Sequence, residues 1–394
     1  MHNQEIKKRI CFVATMPVTL LAFVRPQAEF LLLNGWDVTW VCAHDSNFGQ
    51  KVPKGVHYIP MPFQRGIHFF GIPKAIFLLY QLFKREQFDV VQFSTPNAAF
   101  YASIAAWLAA IPVRIYAQWG IRYVGFQGAS QKIFKILELW CCKLSTVIEP
   151  DSFSNLEFSI KEGLYSRNKS RVIWNGSASG VNLKRFDIDC KEGWRSNFRN
   201  KIGIDSHHLV IGFVGSIRDD KGCNELLTAC RSFFGGMPHA RLLLIGDKYF
   251  YNTIDRDLID WAESSPQVIY VAPNNDIPQY MACMDIFSIP SHREGFGLVI
   301  IEAAAMGVPA VVTDIPGPID AVRSEVTALI VPIKNADALA MALQSLLNDS
   351  KKRFTFGVAA AIFARQNFEQ DEYLNYVLMD KEDLVLNKHK ALLR

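Results

Sequence analysis

The stretch Asp285-Ile-Phe-Ser-Ile-Pro290-Ser-His-Arg-Glu294-Gly-Phe-Gly297-Leu-Val-Ile-Ile-Glu302-Ala-Ala-Ala-Met306 reads as a strand, a tight turn and a helix in direct succession. The apolar run at 285–290 is a buried strand. Glycines at 295 and 297 bracket Phe296 and let the backbone turn sharply and come close to a ligand. Leu298 then opens an apolar helix to 306. The C-terminal end of a strand running into a helix N-terminus is where open α/β sheets bind ligands. The first amides of that helix lack internal partners and suit a phosphate. Glu294 lies in the turn, and Glu302 about a turn and a half into the helix. Ionised carboxylates at these places accept hydrogen bonds from the hydroxyls of a sugar or a ribose. A solvated helix start with an acidic residue favoured by the dipole would carry the same residues.

Outward from this stretch, strands and helices alternate along the whole chain. Strands are expected at 9–15, 37–43, 56–60, 89–93, 113–118 and 146–149. The pattern then restarts, with strands at 209–215, 241–246, 267–271, 285–290, 309–313 and 328–331. Short apolar strands separated by helices imply parallel sheets covered on both faces. The fold class is α/β, with two doubly wound domains. The expected division is 1–185, 186–370 and a last segment, 371–394, crossing back to the first domain. Lys7-Lys8-Arg9 ahead of the apolar run 10–24 has the layout of a signal peptide. Arg25-Pro26 stands where a small-residue cleavage site belongs, so a strand followed by a helix is the preferred reading.

The chain has 394 residues, half of them hydrophobic and a fifth charged, which excludes disorder and coiled coil as overall descriptions. The net charge is +4, but it is unevenly spread. Residues 1–190 hold 21 Lys and Arg against 13 Asp and Glu, and residues 191–394 hold 21 against 25. A basic first half suits an anionic surface or a phosphorylated ligand. None of the eight cysteines forms a C-x-x-C pair, which argues against zinc. No G-x-G-x-x-G follows the first strand, which argues against a nicotinamide or flavin enzyme.

A second turn, Phe213-Val-Gly215-Ser216-Ile-Arg218-Asp-Asp-Lys221-Gly222, follows the strand at 209–215. Arg218 and Lys221 stand at the C-terminal edge of the second sheet, where cations would neutralise a diphosphate. The two segments together resemble the retaining glycosyltransferases of family 4, which have the GT-B fold. Glu294 and Glu302 meet the family's E-x7-E spacing, and Gly215 with Lys221-Gly222 meets its glycine–lysine turn. The runs from Glu302 to Gly317 and from 328 to 332 are also similar. Trp174-Asn-Gly-Ser-Ala-Ser-Gly180-Val-Asn182 is similar to the interdomain segment of capsule and O-antigen members.

The resemblance implies two Rossmann-like domains facing a central cleft, the second binding a nucleotide sugar, with UDP as its expected nucleotide and no further cofactor. Glu294 is then expected beside the donor sugar. Phe296, Gly297 and Leu298 offer amides near the distal phosphate, Glu302 clamps the ribose and Lys221 holds the diphosphate. Gly215, Ser216 and Arg218 border it, and Pro273 and Asn274 border the base. Ser216 departs from the family, which has Arg at that place, and Arg218 is the expected substitute. The family's first-domain histidine is replaced by Gln118 or Trp119. Arg122 is the candidate first-domain cation, facing donor or acceptor phosphate. Thr15 or Thr19 contacts sugar hydroxyls. No D-x-D pair lies at a strand end, so a metal is not expected. The resemblance also implies retention of configuration by front-face attack, without the paired carboxylates of a double displacement.

On the expected helix at 130–144, Lys132, Lys135 and Lys143 fall within about an 80° arc bordered by apolar residues. That strip fits docking at an anionic membrane. Similar proteins extend polyprenyl-diphosphate-linked saccharides at the cytoplasmic face of the bacterial plasma membrane. A peripheral membrane enzyme with such an acceptor is therefore expected. A UDP-sugar epimerase on the same fold and a non-catalytic membrane-associated binding protein are the alternatives.

Overall fold

The computed structural model describes residues 7–63, 71–248 and 251–392, with side chains described to residue 387. The chain divides into two compact units, Met1–Ser179 with Asp371–Arg394, and Gly180–Gln370.

The first unit carries six parallel strands, β1 (Arg9–Val13), β2 (Asp37–Ala43), β3 (His57–Met61), β4 (Val90–Phe93), β5 (Val113–Gln118) and β6 (Val147–Pro150), in the order β3-β2-β1-β4-β5-β6. Val13 pairs in register with Val41 on one side and Phe93 on the other. The helices are α1 (Pro17–Thr19), α2 (Arg25–Leu33), α3 (Ile72–Glu86), α4 (Pro96–Leu108), α5 (Gly128–Leu144) and α6 (Phe153–Lys161). Alternate strand residues feed two cores. Cys11, Val13 and Val91 meet α3, α4 and α5 on one face. Ile10, Phe12 and Val90 meet α2 on the other. The run 10–24 is thus a central strand and the start of a helix. After β1 the chain is helical from Pro17, whose fixed φ presets the first helical position.

The second unit repeats the design. Strands β7 (Leu209–Val214), β8 (Ala240–Ile245), β9 (Val268–Val271), β10 (Ile286–Ile289), β11 (Ala310–Thr313) and β12 (Ala328–Val331) are parallel in the order β12-β11-β10-β7-β8-β9. Its helices are α7 (Lys191–Lys201), α8 (Cys223–Phe234), α9 (Arg256–Ser264), α10 (Ile277–Ala282), α11 (Leu298–Ala305), α12 (Ala336–Asn348) and α13 (Ser350–Phe368). In each sheet the order reverses beside the first strand, between β1 and β4 and between β7 and β10. Those reversals are where doubly wound sheets bind ligands.

The last helix, α14 (Gln370–Leu392), belongs to the first unit. Leu384 and Val385 join the core under β1, and Tyr373, Leu374 and Val377 pack with Ile173. Lys381, fully buried, meets both carboxylate oxygens of Glu149 on β6 at 2.7 Å. The division between units falls between Ser179 and Gly180, ahead of the expected 185/186. Val181 already belongs to the second unit: its N–H donates to Phe368 O at 2.7 Å, and Gln370 N–H donates to Val181 O at 3.0 Å.

Candidate functional site

The switch point of the second sheet gathers the turns after β7 and β10. Gly222, at φ +72°, closes the first turn and caps α8. A Cβ there would lie 2.0 Å from Pro290 O, so only glycine lets the two turns close backbone to backbone. From the other side Gly317, at φ +100°, would place a Cβ 1.8 Å from Gly295 O. The loop 291–297 is held between these two contacts.

This closeness brings Lys221 and Glu294 together, Nζ to Oε1 at 2.6 Å. The buried Ser291 hydroxyl donates to the same carboxylate oxygen at 3.0 Å. Asp220 binds two further cations, Arg218 at 2.6 Å and Arg293 at 2.8 Å. Burial works against its charge, but the hydrogen bond from Arg218 and the field of Arg293 carry its carboxyl below the usual range. Lys221, Arg218 and Arg293 thus stand together at the mouth of the sheet, each paired with a carboxylate of the same turns. Ser216 donates to Asp247 at 2.8 Å, on the turn that Gly215 begins.

Gly297 caps α11 without a side-chain hydrogen bond. Ile300 N–H donates to Gly297 O at 2.8 Å, so the amides of Leu298 and Val299 are the ones at the helix start that precede its first hydrogen bond. Phe296 turns its ring into the core, edge-on to Phe368 at 5.1 Å, so its backbone is its contribution to the loop surface. Glu302 lies on the second turn of α11. Burial pushes its carboxyl up to about 7, with the Arg185 charge pulling the other way. No side chain among the described residues hydrogen-bonds it. Pro273 and Asn274 are on the exposed loop after β9, where Asn274 braces the turn through Ala272 O and Asp276 N. Arg185 donates to Asn275 O at 3.4 Å, linking that loop to the field at Glu302.

Asp219, Glu225 and His292 bring possible ligand atoms within 4.8 Å of one another. Glu225 and His292 already pair at 3.0 Å, and Asn224 donates to Asp219 at 2.8 Å. His292 also helps carry the Glu225 carboxyl below its usual range, against the upward push of burial.

In the first unit the expected contacts resolve differently. Thr15 is buried, and its hydroxyl meets Thr95 Oγ1 at 2.8 Å and accepts from Ala98 N–H. It therefore ties β1 to β4 and is not open to a sugar. Thr95 holds φ +64°, a strained conformation for a β-branched residue, at this sheet's switch point. Gln118 is also removed from the surface. It donates to Glu138 at 2.6 Å and accepts from Ser159 and Tyr165 in a closed buried network. Burial pushes the Glu138 carboxyl up to about 7 despite the hydrogen bonds from Gln118 and Tyr116. Trp119 and Thr19 are half-buried, the indole packing on Phe23 at 5.4 Å. Arg122 lies across the rings of Phe134, at 4.7 Å, and Phe126, at 5.8 Å.

The sequence had not singled out Arg293, Ser291 or Asp220 as site residues, although all three lie within the quoted turns. Thr95 had no local signal; its strain exists only because β1 and β4 are neighbours.

Known proteins resemble the chain along nearly its whole length. The family model described as "Glycosyl transferases group 1" matches residues 195–361, and that described as "Glycosyl transferase 4-like" matches 9–150. The capsular polysaccharide biosynthesis glycosyltransferase CapM of Staphylococcus aureus is 31% identical over 362 residues, covering 91% of each chain. The Escherichia coli UDP-Gal:alpha-D-GlcNAc-diphosphoundecaprenol alpha-1,3-galactosyltransferase is 25% identical over 358 residues, covering 89% of this chain and 90% of its own. Among solved structures, Anabaena Alr3699/HepE in complex with UDP-glucose superposes with a TM-score of 0.76 at 18% identity, covering 95% of this chain and 99% of that one.

Proposed function

The chain belongs to the group 1, family-4-like glycosyltransferases with two Rossmann-like domains, and from that membership we propose that it moves a hexose or N-acetylhexosamine from a UDP-sugar to a polyprenyl-diphosphate-linked saccharide in surface-polysaccharide assembly. The observation that carries the reading is the Lys221–Glu294 pair at the switch point of the second sheet. The Escherichia coli relative is named for a UDP-sugar and a diphosphoundecaprenol acceptor, and a protein of the same fold holds UDP-glucose.

In this reading the entering diphosphate draws Lys221 away from Glu294. Lys221, with Arg218 behind it, neutralises the charge that develops as the bond from the anomeric carbon to the β-phosphate oxygen breaks. The amides at the start of α11 face the same phosphate. Glu294, relieved of its partner, accepts from the donor sugar's hydroxyls and fixes its orientation. Glu302 accepts from the ribose diol. The acceptor hydroxyl attacks from the side the diphosphate leaves, passing its proton to a phosphate oxygen, and configuration is retained. Protein cations supply the counter-charge, so a metal is not required. The enzyme works at the cytoplasmic face of the membrane, where such acceptors are held. Gln118 and Thr15 play structural parts.

The test is incubation of the full chain with UDP-sugars and a polyprenyl-diphosphate-linked saccharide, with and without chelator. Release of UDP with formation of an α-linked product supports the reading. Recovery of an epimerised UDP-sugar without transfer ends it, and a β-linked product ends the retaining mechanism.

A further inference from the structure

A cavity of about 410 Å³ opens in the second unit, at the opposite edge of its sheet from the donor turns. Asp285 leads into β10 and Pro309 into β11, so the cavity lies where these strands begin. Lys221 and Glu294 stand on turns that follow strands, where they end. The first turns of two helices complete the wall, Lys191 and Glu192 of α7 and Arg353 and Phe354 of α13. The positive ends of two helix dipoles therefore converge on one recess.

Glycine sets the floor of this recess. A Cβ on Gly357 of α13 would lie 2.6 Å from Gly307 O, and one on Gly307 would lie 3.6 Å from Lys191 Nζ. The half-buried Lys191 ammonium donates to Gly307 O at 3.1 Å, and no carboxylate among the described residues forms an ion pair with it. Its neighbours do not share a spare carboxylate either. Arg195 takes Asp285 at 2.6 Å, and Arg353 Nη1 donates to the carbonyls of Leu346 and Leu347, which leaves its charge unmatched. Lys191, Arg195 and Arg353 stand against Glu192 and Asp285 around the cavity, a balance of +1. The outer wall is apolar: Phe354 is 74% exposed and Val358 46%, both on α13. A concave site with one apolar wall and a cation at its floor has the make-up of a small-molecule site.

We propose that this cavity binds a small monocarboxylate with an apolar body, its head on Lys191 and Arg353 and its body against Phe354 and Val358. The charge balance selects the head: a single negative charge completes it, whereas a phosphate dianion would leave one charge over. The exposed ring of Phe354 selects the body, since a bare inorganic anion would leave it in water. The site is separate from the donor turns and owes nothing to the donor reading.

The test is calorimetric titration of the full chain with 3-phenylpropionate, beside propionate, which lacks the ring, and 3-phenylpropanol, which lacks the charge. The expected Kd for 3-phenylpropionate is about 1 mM or below, with both controls roughly tenfold weaker. Burial, with the charges of Arg195 and Arg199, brings the Lys191 ammonium down to about 8, while Asp285 and Glu192 pull the other way. A bound carboxylate raises it again, so binding at pH 8 takes up roughly half a proton, read from the heat in buffers of different ionisation enthalpy. Lys191→Met weakens binding about tenfold and abolishes that uptake, and Phe354→Ser weakens binding about fivefold. Glu192→Gln, which removes an exposed like charge, tightens it about threefold. Saturating UDP leaves the affinity unchanged. A UDP-induced rise in melting temperature equal to that of the parent chain shows that each variant is folded. Should UDP give no shift while 3-phenylpropionate binds, the donor reading fails and the cavity proposal stands. The proposal is overturned if the parent chain does not bind 3-phenylpropionate, or if 3-phenylpropanol binds as tightly. It is also overturned if Lys191→Met binds as the parent does, or if UDP displaces the ligand.

Discussion

Lys221 Nζ and Glu294 Oε1 are 2.6 Å apart although 73 residues separate them in sequence. Each hangs from the turn after a different strand, and β7 and β10 are neighbours only because the sheet reverses direction there. In the proposed reading, this pair is what an entering diphosphate displaces.

Lys221→Met should lower kcat by about 10²–10³, the usual cost of losing one donor to developing charge. It should also weaken UDP binding. Glu294→Gln keeps the shape, releases Lys221 and leaves UDP affinity equal or higher, while kcat still falls. Calorimetric UDP titration beside steady-state rates separates the two. Equal UDP losses in both variants would defeat the assigned division of labour.

Glu302 gives a pH signature. Burial holds its carboxyl at about 7, and only the ionised form accepts from both ribose hydroxyls. Binding therefore favours loss of its proton, and UDP affinity should rise from pH 5.5 to pH 8. Glu302→Gln should bind UDP more weakly at pH 8 and flatten the profile. Affinity measured against pH for both proteins decides the matter, and parallel profiles would remove Glu302 from the ribose.

Glu138 makes a prediction of opposite sense about stability. Its folded value, about 7, lies above that of an unfolded glutamate. Its contribution is fully present below about pH 4.5 and is lost as pH rises through 7, on the order of 3 kcal/mol in all. Glu138→Gln should narrow the fall in melting temperature between pH 5 and pH 8. An unchanged fall would place the titration elsewhere.

The buried pair of Lys381 and Glu149 fastens the last helix. Lys381→Ala leaves a carboxylate buried without its partner and should destabilise the first unit by about 3–5 kcal/mol. Lys381→Met combined with Glu149→Leu should recover most of that loss. Urea unfolding followed by the fluorescence of Trp174, which stacks on Tyr376 of the same helix at 5.6 Å, reads the effect. Failure of the double variant to recover would mean that the pair specifies the helix position and does not merely neutralise itself.

The second-unit turns were legible because their constraints are local. Two glycines around Phe296, an acid before them and another eight residues later leave a trace in a dozen consecutive positions. The first unit was harder to read. Thr15 looked available because nothing beside it in sequence engages its hydroxyl; the partner, Thr95, is 80 residues away. Gln118 closes on Glu138, Ser159 and Tyr165, so its burial is a property of the packed α5 and α6 and not of the strand that carries it. Lys135 shares an arc with Lys132 and Lys143 but has the carboxylate of Glu162, at the C-cap of α6, in reach. Periodicity reports which way a residue faces, not what waits there.

α14 follows the whole second unit in sequence, yet it seals a unit whose strands all precede that second unit. Until Leu384 and Val385 arrive, the apolar face beneath β1 is covered only in part, by Val24, Ala28 and Leu31 of the segment leading through α2. The second unit is continuous, and its two ends are hydrogen-bonded to each other through Val181, Phe368 and Gln370, so it can close on its own beforehand. Synthesis order and completion order are thus reversed. A truncation within α14 leaves part of the first unit's apolar face exposed, which makes an intact α14 a condition for its stability.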